Sequence, residues 1–234
     1  MTELAAPVIT IDGPSGAGKG TVAQRVAETL GFALLDSGAL YRLSALAVLR
    51  HGADPADGEA VAALAAAMQI RFEAEPGQGV RTWLDGEDVS QALRNEETAA
   101  MASKVAVLPQ LRRQLLDVQR GFARAPGLVA DGRDMGTVVF PDAPVKIFLT
   151  ASAQVRAERR LKQLKEKGID ANLPSLLEDI SQRDARDSER KTAPLKPAAD
   201  AVTIDSSALN IDQVCQQVLE IAEKNGIRRG ESES

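Results

Sequence analysis

The run Gly13-Pro14-Ser15-Gly16-Ala17-Gly18-Lys19-Gly20-Thr21 restricts what this chain can fold into more than any other segment. It follows Val8-Ile9-Thr10-Ile11-Asp12, a β-branched stretch that reads as a buried strand. It leads into Thr21 to Leu30, where Val22, Val26 and Leu30 fall on one helix face and Gly31 closes the helix. Strand, glycine loop and helix thus meet without a spacer. Gly13 to Lys19 fits the pattern GxxxxGK. Glycines at these places let backbone N–H groups turn inward and approach phosphate oxygens. The helix N-terminus adds partial positive charge, and Lys19 can reach a terminal phosphate.

The rest of the chain continues the alternation. Phe32 to Asp36 reads as a second strand, followed by helices over 39–50 and 55–67. The texture then changes. Ile70 to Glu73 alternates with period two, Pro76 to Gly79 is a turn, Val80 to Leu84 is a strand and Asp85-Gly86 another turn. This antiparallel patch reads as an insertion. Helices are expected over 95–106 and 109–124, strands at Leu128–Asp131 and Val145–Leu149, and polar helices at 152–167 and 173–190. A fifth strand at Ala201–Asp205, a helix over 210–224 and a frayed tail from Arg228 complete the chain. Strands alternating with helices imply an α/β fold with a mainly parallel sheet.

Two further segments lie where chemistry is expected, beyond the carboxyl ends of strands. In Asp36-Ser37-Gly38-Ala39-Leu40-Tyr41-Arg42, Arg42 suits a second phosphate and Tyr41 a sugar or base; a helix cap at Ser37 beside a surface arginine is the plain alternative. In Asp131-Gly132-Arg133-Asp134-Met135-Gly136, the first aspartate can steer Mg²⁺ or its waters, and Arg133 projects toward phosphates. Two helices are dense in arginine. Arg156, Arg159 and Arg160 lie within about one turn, and Arg183, Arg186 and Arg190 share one face with Asp184 and Asp187 between them. Such a pattern is either a salt-bridged surface or a lid that brings guanidinium groups to a phosphoryl.

Composition narrows the classes. A net charge of −5 argues against coating nucleic acid or a membrane surface. One cysteine, Cys215, builds neither a disulfide framework nor a thiolate zinc site and reads as a small buried hydrophobe. The single histidine, His51, marks a helix end before Gly52. The chain has neither an apolar run of membrane length nor a signal-like start, so the expectation is a cytoplasmic monomer without nucleic-acid or membrane partners.

Gly20 stands where serine or threonine usually follows the loop lysine, and Thr21 comes one residue later. This GKGT form occurs in nucleoside monophosphate kinases. Taken in order, Gly13–Thr21, Leu35–Arg42, Leu84-Asp85-Gly86-Glu87-Asp88-Val89-Ser90, Ala130–Pro141 and Arg183–Arg190 resemble the bacterial cytidylate kinases over roughly Pro7 to Asn225. The resemblance implies a P-loop nucleoside monophosphate kinase fold, a five-stranded parallel core flanked by helices. It adds a small antiparallel insertion in the monophosphate-binding region and a short helical lid. It implies one kinase domain over 7–229, with core 7–37, 106–152 and 195–229, acceptor region 38–105 and lid 153–194.

The implied reaction is phosphoryl transfer from ATP, with Mg²⁺, to CMP or dCMP. Carried over by motif, the glycine loop Gly13, Pro14, Ser15, Gly16, Ala17, Gly18, Lys19, Gly20 and Thr21 holds ATP. Arg42, Arg133 and Arg190 clamp the monophosphate, while Tyr41, Arg183 and Asp187 meet the sugar. Ser103, Arg112 and Asp134 meet cytosine, with Ser37 close by. Lys19, Arg133, Arg183 and Arg190 are the catalytic set, and Thr21 and Asp131 hold Mg²⁺ directly or through water. Other acceptors, UMP, AMP or shikimate, stay open at this point, as does a nucleotide-binding switch. A GTPase would carry an Asn-Lys-x-Asp signature, which this chain lacks.

Overall fold

The computed structural model describes residues 6–75, 79–166 and 168–228. In chain order its elements are β1 (Val8–Asp12), α1 (Lys19–Leu30), β2 (Ala33–Asp36), α2 (Ser37–His51), α3 (Gly58–Ala67), β3 (Ile70–Glu75), β4 (Gly79–Leu84), β5 (Glu87–Asp88), α4 (Glu96–Val105), α5 (Pro109–Arg120), β6 (Leu128–Gly132), β7 (Val145–Thr150), α6 (Ala153–Glu166), α7 (Leu173–Glu189), β8 (Val202–Asp205) and α8 (Ile211–Lys224). They form two compact units, Met1–Asp36 with Gln119–Ser234, and Ser37–Val118.

The first unit is built on a five-stranded parallel sheet in the order β2-β6-β1-β7-β8. Every residue of β1 and β6 is buried, as expected of central strands covered on both faces. Ile9, Ile11, Val129, Ile147 and Leu149 pack with Val22, Val26 and Leu30 of α1 and with Val214 and Val218 of α8. Each such side chain contributes about 1.5–3 kcal/mol through burial. Cys215 lies in this core as a small apolar group. Asn210 starts α8 with a reciprocal cap: its side chain accepts from Gln213 N at 2.9 Å, and Gln213 Oε1 accepts from Asn210 N at 3.0 Å.

The second unit holds the antiparallel insertion as a sheet in the order β3-β4-β5, with Ile70 opposite Leu84. The expected turn at Pro76–Gly79 lies largely outside the described residues. Asp85 and Gly86 both have positive φ, 51° and 87°, the backbone of a tight two-residue hairpin joining β4 to β5. His51 ends α2, with Nδ1 2.9 Å from the Ala47 carbonyl oxygen.

Several expectations need correction; helix α3, for one, begins at Gly58 rather than 55, after the Asp57 cap. Helix α1 starts at Lys19 rather than Thr21, because Gly18 at φ 97° supplies the left-handed entry. Helix α5 stops at Arg120 rather than 124, where four-residue turns take over (Phe122 N to Gln119 O, Ala123 N to Arg120 O). Arg190 lies beyond the end of α7, with extended backbone, and so does not share a helical face with Arg183 and Arg186. Residues Met135–Val139, not assigned to any element from sequence, form a π-helical turn. No helix among the described residues is long and apolar enough to cross a membrane.

Candidate active site

The parallel order brings the carboxyl ends of β1, β6, β7 and β8 to one edge of the sheet, and the glycine loop leaves β1 there. Its carbonyl groups are tied into the protein. Lys19 Nζ donates to Pro14 O at 2.9 Å, and Arg156 Nη1 donates to Ser15 O at 3.1 Å. Ser206 Oγ lies 3.1 Å from Ala17 O, and Arg159 Nη2 donates to Ser206 O at 2.6 Å. Gly16 lies against Arg156: a Cβ on it would sit 3.3 Å from Arg156 Cβ. The carbonyls of Pro14, Ser15 and Ala17 are thus engaged by protein donors, and backbone N–H groups of such a loop are what it can offer an anion.

Lys19 is 5% exposed and lies 3.9 Å from Asp131 Oδ1. Burial lowers its pKa to about 7, helped by the positive charges of Arg133 and Arg183 and opposed by Asp131 and Asp12. Arg133 donates from Nε to Asp187 Oδ2 at 3.0 Å and from Nη1 to Gly132 O at 3.2 Å. Lys19, Asp131, Arg133, Arg183 and Asp187 therefore form one electrostatic neighbourhood. Arg190 donates through Nε to Ala193 O, and Asp134 is 3% exposed at the head of the π turn. Thr21 is exposed on the first turn of α1.

In the second unit the structure brings Tyr41 and Arg112 together, with the guanidinium 5.6 Å from the ring centroid. Arg112 also donates to Ala106 O at 3.1 Å, and Arg42 reaches Leu93 O at 3.4 Å. Ser37 and Ser103 are buried, and Ser103 Oγ has no hydrogen-bond partner among the described residues.

Sequence reasoning missed two features. Asp12 was read only as a strand end, yet its two oxygens accept the amides of Met135 and Gly136, both at 2.8 Å. Burial pushes its carboxyl up to about 6 against those two hydrogen bonds. Arg156 and Arg159 read as either a salt-bridged surface or a phosphoryl-binding lid, and their hold on the glycine loop is not visible from spacing. In the structure Arg156 is 4% exposed and forms a two-pronged pair with Asp184, while a third bond runs from its Nε to Ala151 O at 2.9 Å.

The lowered pKa of Lys19 makes stability depend on pH. An unfolded lysine keeps its proton to 10.5, the folded one to about 7. Between those values the unfolded chain binds more protons, so stability rises with pH. Urea titrations of wild type and Lys19→Met across that window should show the wild type gaining on the variant as pH rises. A constant difference would mean that Lys19 keeps an ordinary pKa.

A tethered glycine loop at the edge of a parallel sheet, with a buried lysine and guanidinium groups around it, defines a P-loop phosphotransferase. Comparison with known proteins narrows the class. The family model for cytidylate kinase matches residues 9–224. The cytidylate kinase of Pseudomonas syringae pv. tomato is 60% identical over 218 residues, covering 93% of this chain and 95% of its own length. That of Bordetella bronchiseptica is 57% identical over 216 residues, covering 92% and 95%. The chain belongs to the cytidylate kinase family.

Proposed function

We propose that this protein transfers the γ-phosphoryl group of ATP to CMP or dCMP, giving ADP and CDP or dCDP. The observation that carries the reading is the inward tethering of the loop carbonyls of Pro14, Ser15 and Ala17, which leaves a donor surface for the phosphates of ATP. Protonated Lys19 neutralises charge that moves onto the leaving oxygen, and Arg183 adds to the field around it. Arg133, oriented by Asp187, has guanidinium donors to share with the acceptor's phosphate, and Arg42 and Arg190 are assigned to the same clamp. Tyr41, Arg183 and Asp187 take the sugar. The buried Ser103 hydroxyl, which has no hydrogen-bond partner among the described residues, suits a polar base; Arg112 and Ser37 are assigned to the base with it, and so is Asp134. Asp131 and Thr21 are hard oxygen donors and would hold Mg²⁺ or its waters, and that ion when bound neutralises phosphate charge. We place it as a monomer in the cytoplasm, and the net charge of −5 supports the lack of a nucleic-acid or membrane-surface partner.

Release of ADP with CMP, dCMP, UMP, AMP and shikimate tests the acceptor. CMP and dCMP should give the highest kcat/KM, and equal rates with AMP or shikimate would sink the proposal. Asp134→Ala sharpens the test. An ionised Asp134 accepts from the amino group of cytosine and repels the carbonyl of uracil. Such a contact is worth about 1–3 kcal/mol, so the CMP preference should shrink roughly ten- to hundredfold. An equal loss for CMP and UMP would move Asp134 out of the base site.

A further inference from the structure

Asp12 has no role in the assignments above, although its geometry is unusually committed. It is the residue before Gly13, and so belongs to the strand that delivers the glycine loop. Its carboxylate is 4% exposed, with Oδ1 accepting Met135 N and Oδ2 accepting Gly136 N, each at 2.8 Å. Two successive amides bound to the two oxygens of one carboxylate have little freedom to rotate.

The segment held in this way begins with Asp134. That residue has φ −148° and ψ 23°, outside the helical and extended basins, and its carbonyl accepts from Val138 N at 2.9 Å and Val139 N at 3.2 Å. The π turn is also pressed onto β1. A Cβ on Gly136 would come within 2.9 Å of Thr10 Oγ1 and 3.2 Å of Lys146 Cδ. The backbone of residues 134–136 is therefore set by Asp12 and by its close fit against Thr10.

We propose that Asp12 is a positioning residue for base choice: by clasping the amides of Met135 and Gly136 it sets the aim of Asp134. The proposal rests on the reading of Asp134 as the cytosine contact. Asparagine should not replace Asp12, because its NH₂ group would face one of the two amide donors where an oxygen now accepts.

The test compares wild type, Asp12→Asn and Asp134→Ala on CMP and UMP, with KM for ATP measured alongside and exchange rates of the Met135 and Gly136 amides read by NMR. In Asp12→Asn both amides should exchange faster, KM for CMP should rise while KM for ATP holds, and the CMP-to-UMP ratio of kcat/KM should fall about tenfold, the low end of a base contact. A ratio that stays at the wild-type value in Asp12→Asn while Asp134→Ala lowers it overturns the proposal. If Asp134→Ala leaves the ratio unchanged, it is the base assignment that fails. Asp12 is then judged on KM for CMP: a selective rise supports positioning, and no rise overturns it. If Asp12→Asn does not fold, Gly136→Ala disturbs the same clasp from the other side. Its ratio should fall, and adding Thr10→Ala, which removes the atom the new methyl meets, should return part of it. A wild-type ratio in Gly136→Ala overturns the proposal.

Discussion

Lys19→Ala should lower kcat by about 10²–10³-fold, the loss seen when a single donor to a developing charge is removed. Three observations lead there. Lys19 follows the glycine loop directly, its Nζ donates to the Pro14 carbonyl, and its charge is held in a buried site by Asp131. Phosphoryl transfer relies on positioning and charge neutralisation rather than on covalent chemistry, so no other group of the loop can take over. The acceptor's assigned contacts do not include Lys19, so CMP affinity should change little. Steady-state kinetics with ATP and CMP, beside a denaturation curve, reads both effects. Near-normal turnover in a folded variant would exclude Lys19 from the transfer step.

Gly13→Ala should destabilise the protein by roughly 3 kcal/mol or more, or prevent folding. Gly13 has φ 150°, a backbone that a residue with a Cβ rarely adopts. The added carbon would also stand 1.9 Å from the Leu149 carbonyl oxygen and 3.0 Å from its carbon. Leu149 cannot move aside cheaply. It belongs to β7, which pairs with β1 through Phe148 opposite Asp12 on one side and with β8 through Ile204 on the other. Gly31→Ala is the control, because φ there is 70° with nothing within 4 Å. It should cost only the backbone term, about 1–2 kcal/mol. Urea unfolding of the two variants separates strain from collision. If Gly13→Ala proves no worse than Gly31→Ala, the close approach to Leu149 does not hold in solution.

The chemistry of individual segments was legible in the sequence wherever it is local. Val8–Asp12, the glycine run and the apolar face of Val22, Val26 and Leu30 each state their own conformation, because strand burial, positive φ and helical periodicity act within a few residues. The Asp85-Gly86 pair likewise announced a hairpin. Where local signals weakened, boundaries slipped. Arg186 and Arg190 look continuous by spacing, but α7 ends at Glu189 and the chain turns extended. Helix α5 ends early because the chain must turn before entering β6.

By itself the sequence determined the α/β class, the phosphate loop, the antiparallel insertion and the family, since all of these are written in contiguous patterns. Only the tertiary structure decided which partners those patterns meet. Arg156 and Arg159 were arginines at helical spacing until α6 packed beside the loop and turned one onto Ser15 and Asp184 and the other onto Ser206. Asp12 was a strand end until β6 paired beside β1, with Asp12 opposite Gly132, and carried the amides of Met135 and Gly136 onto its carboxylate. Contacts between residues of different elements depend on strand order and crossover, and no periodicity in a single chain encodes those.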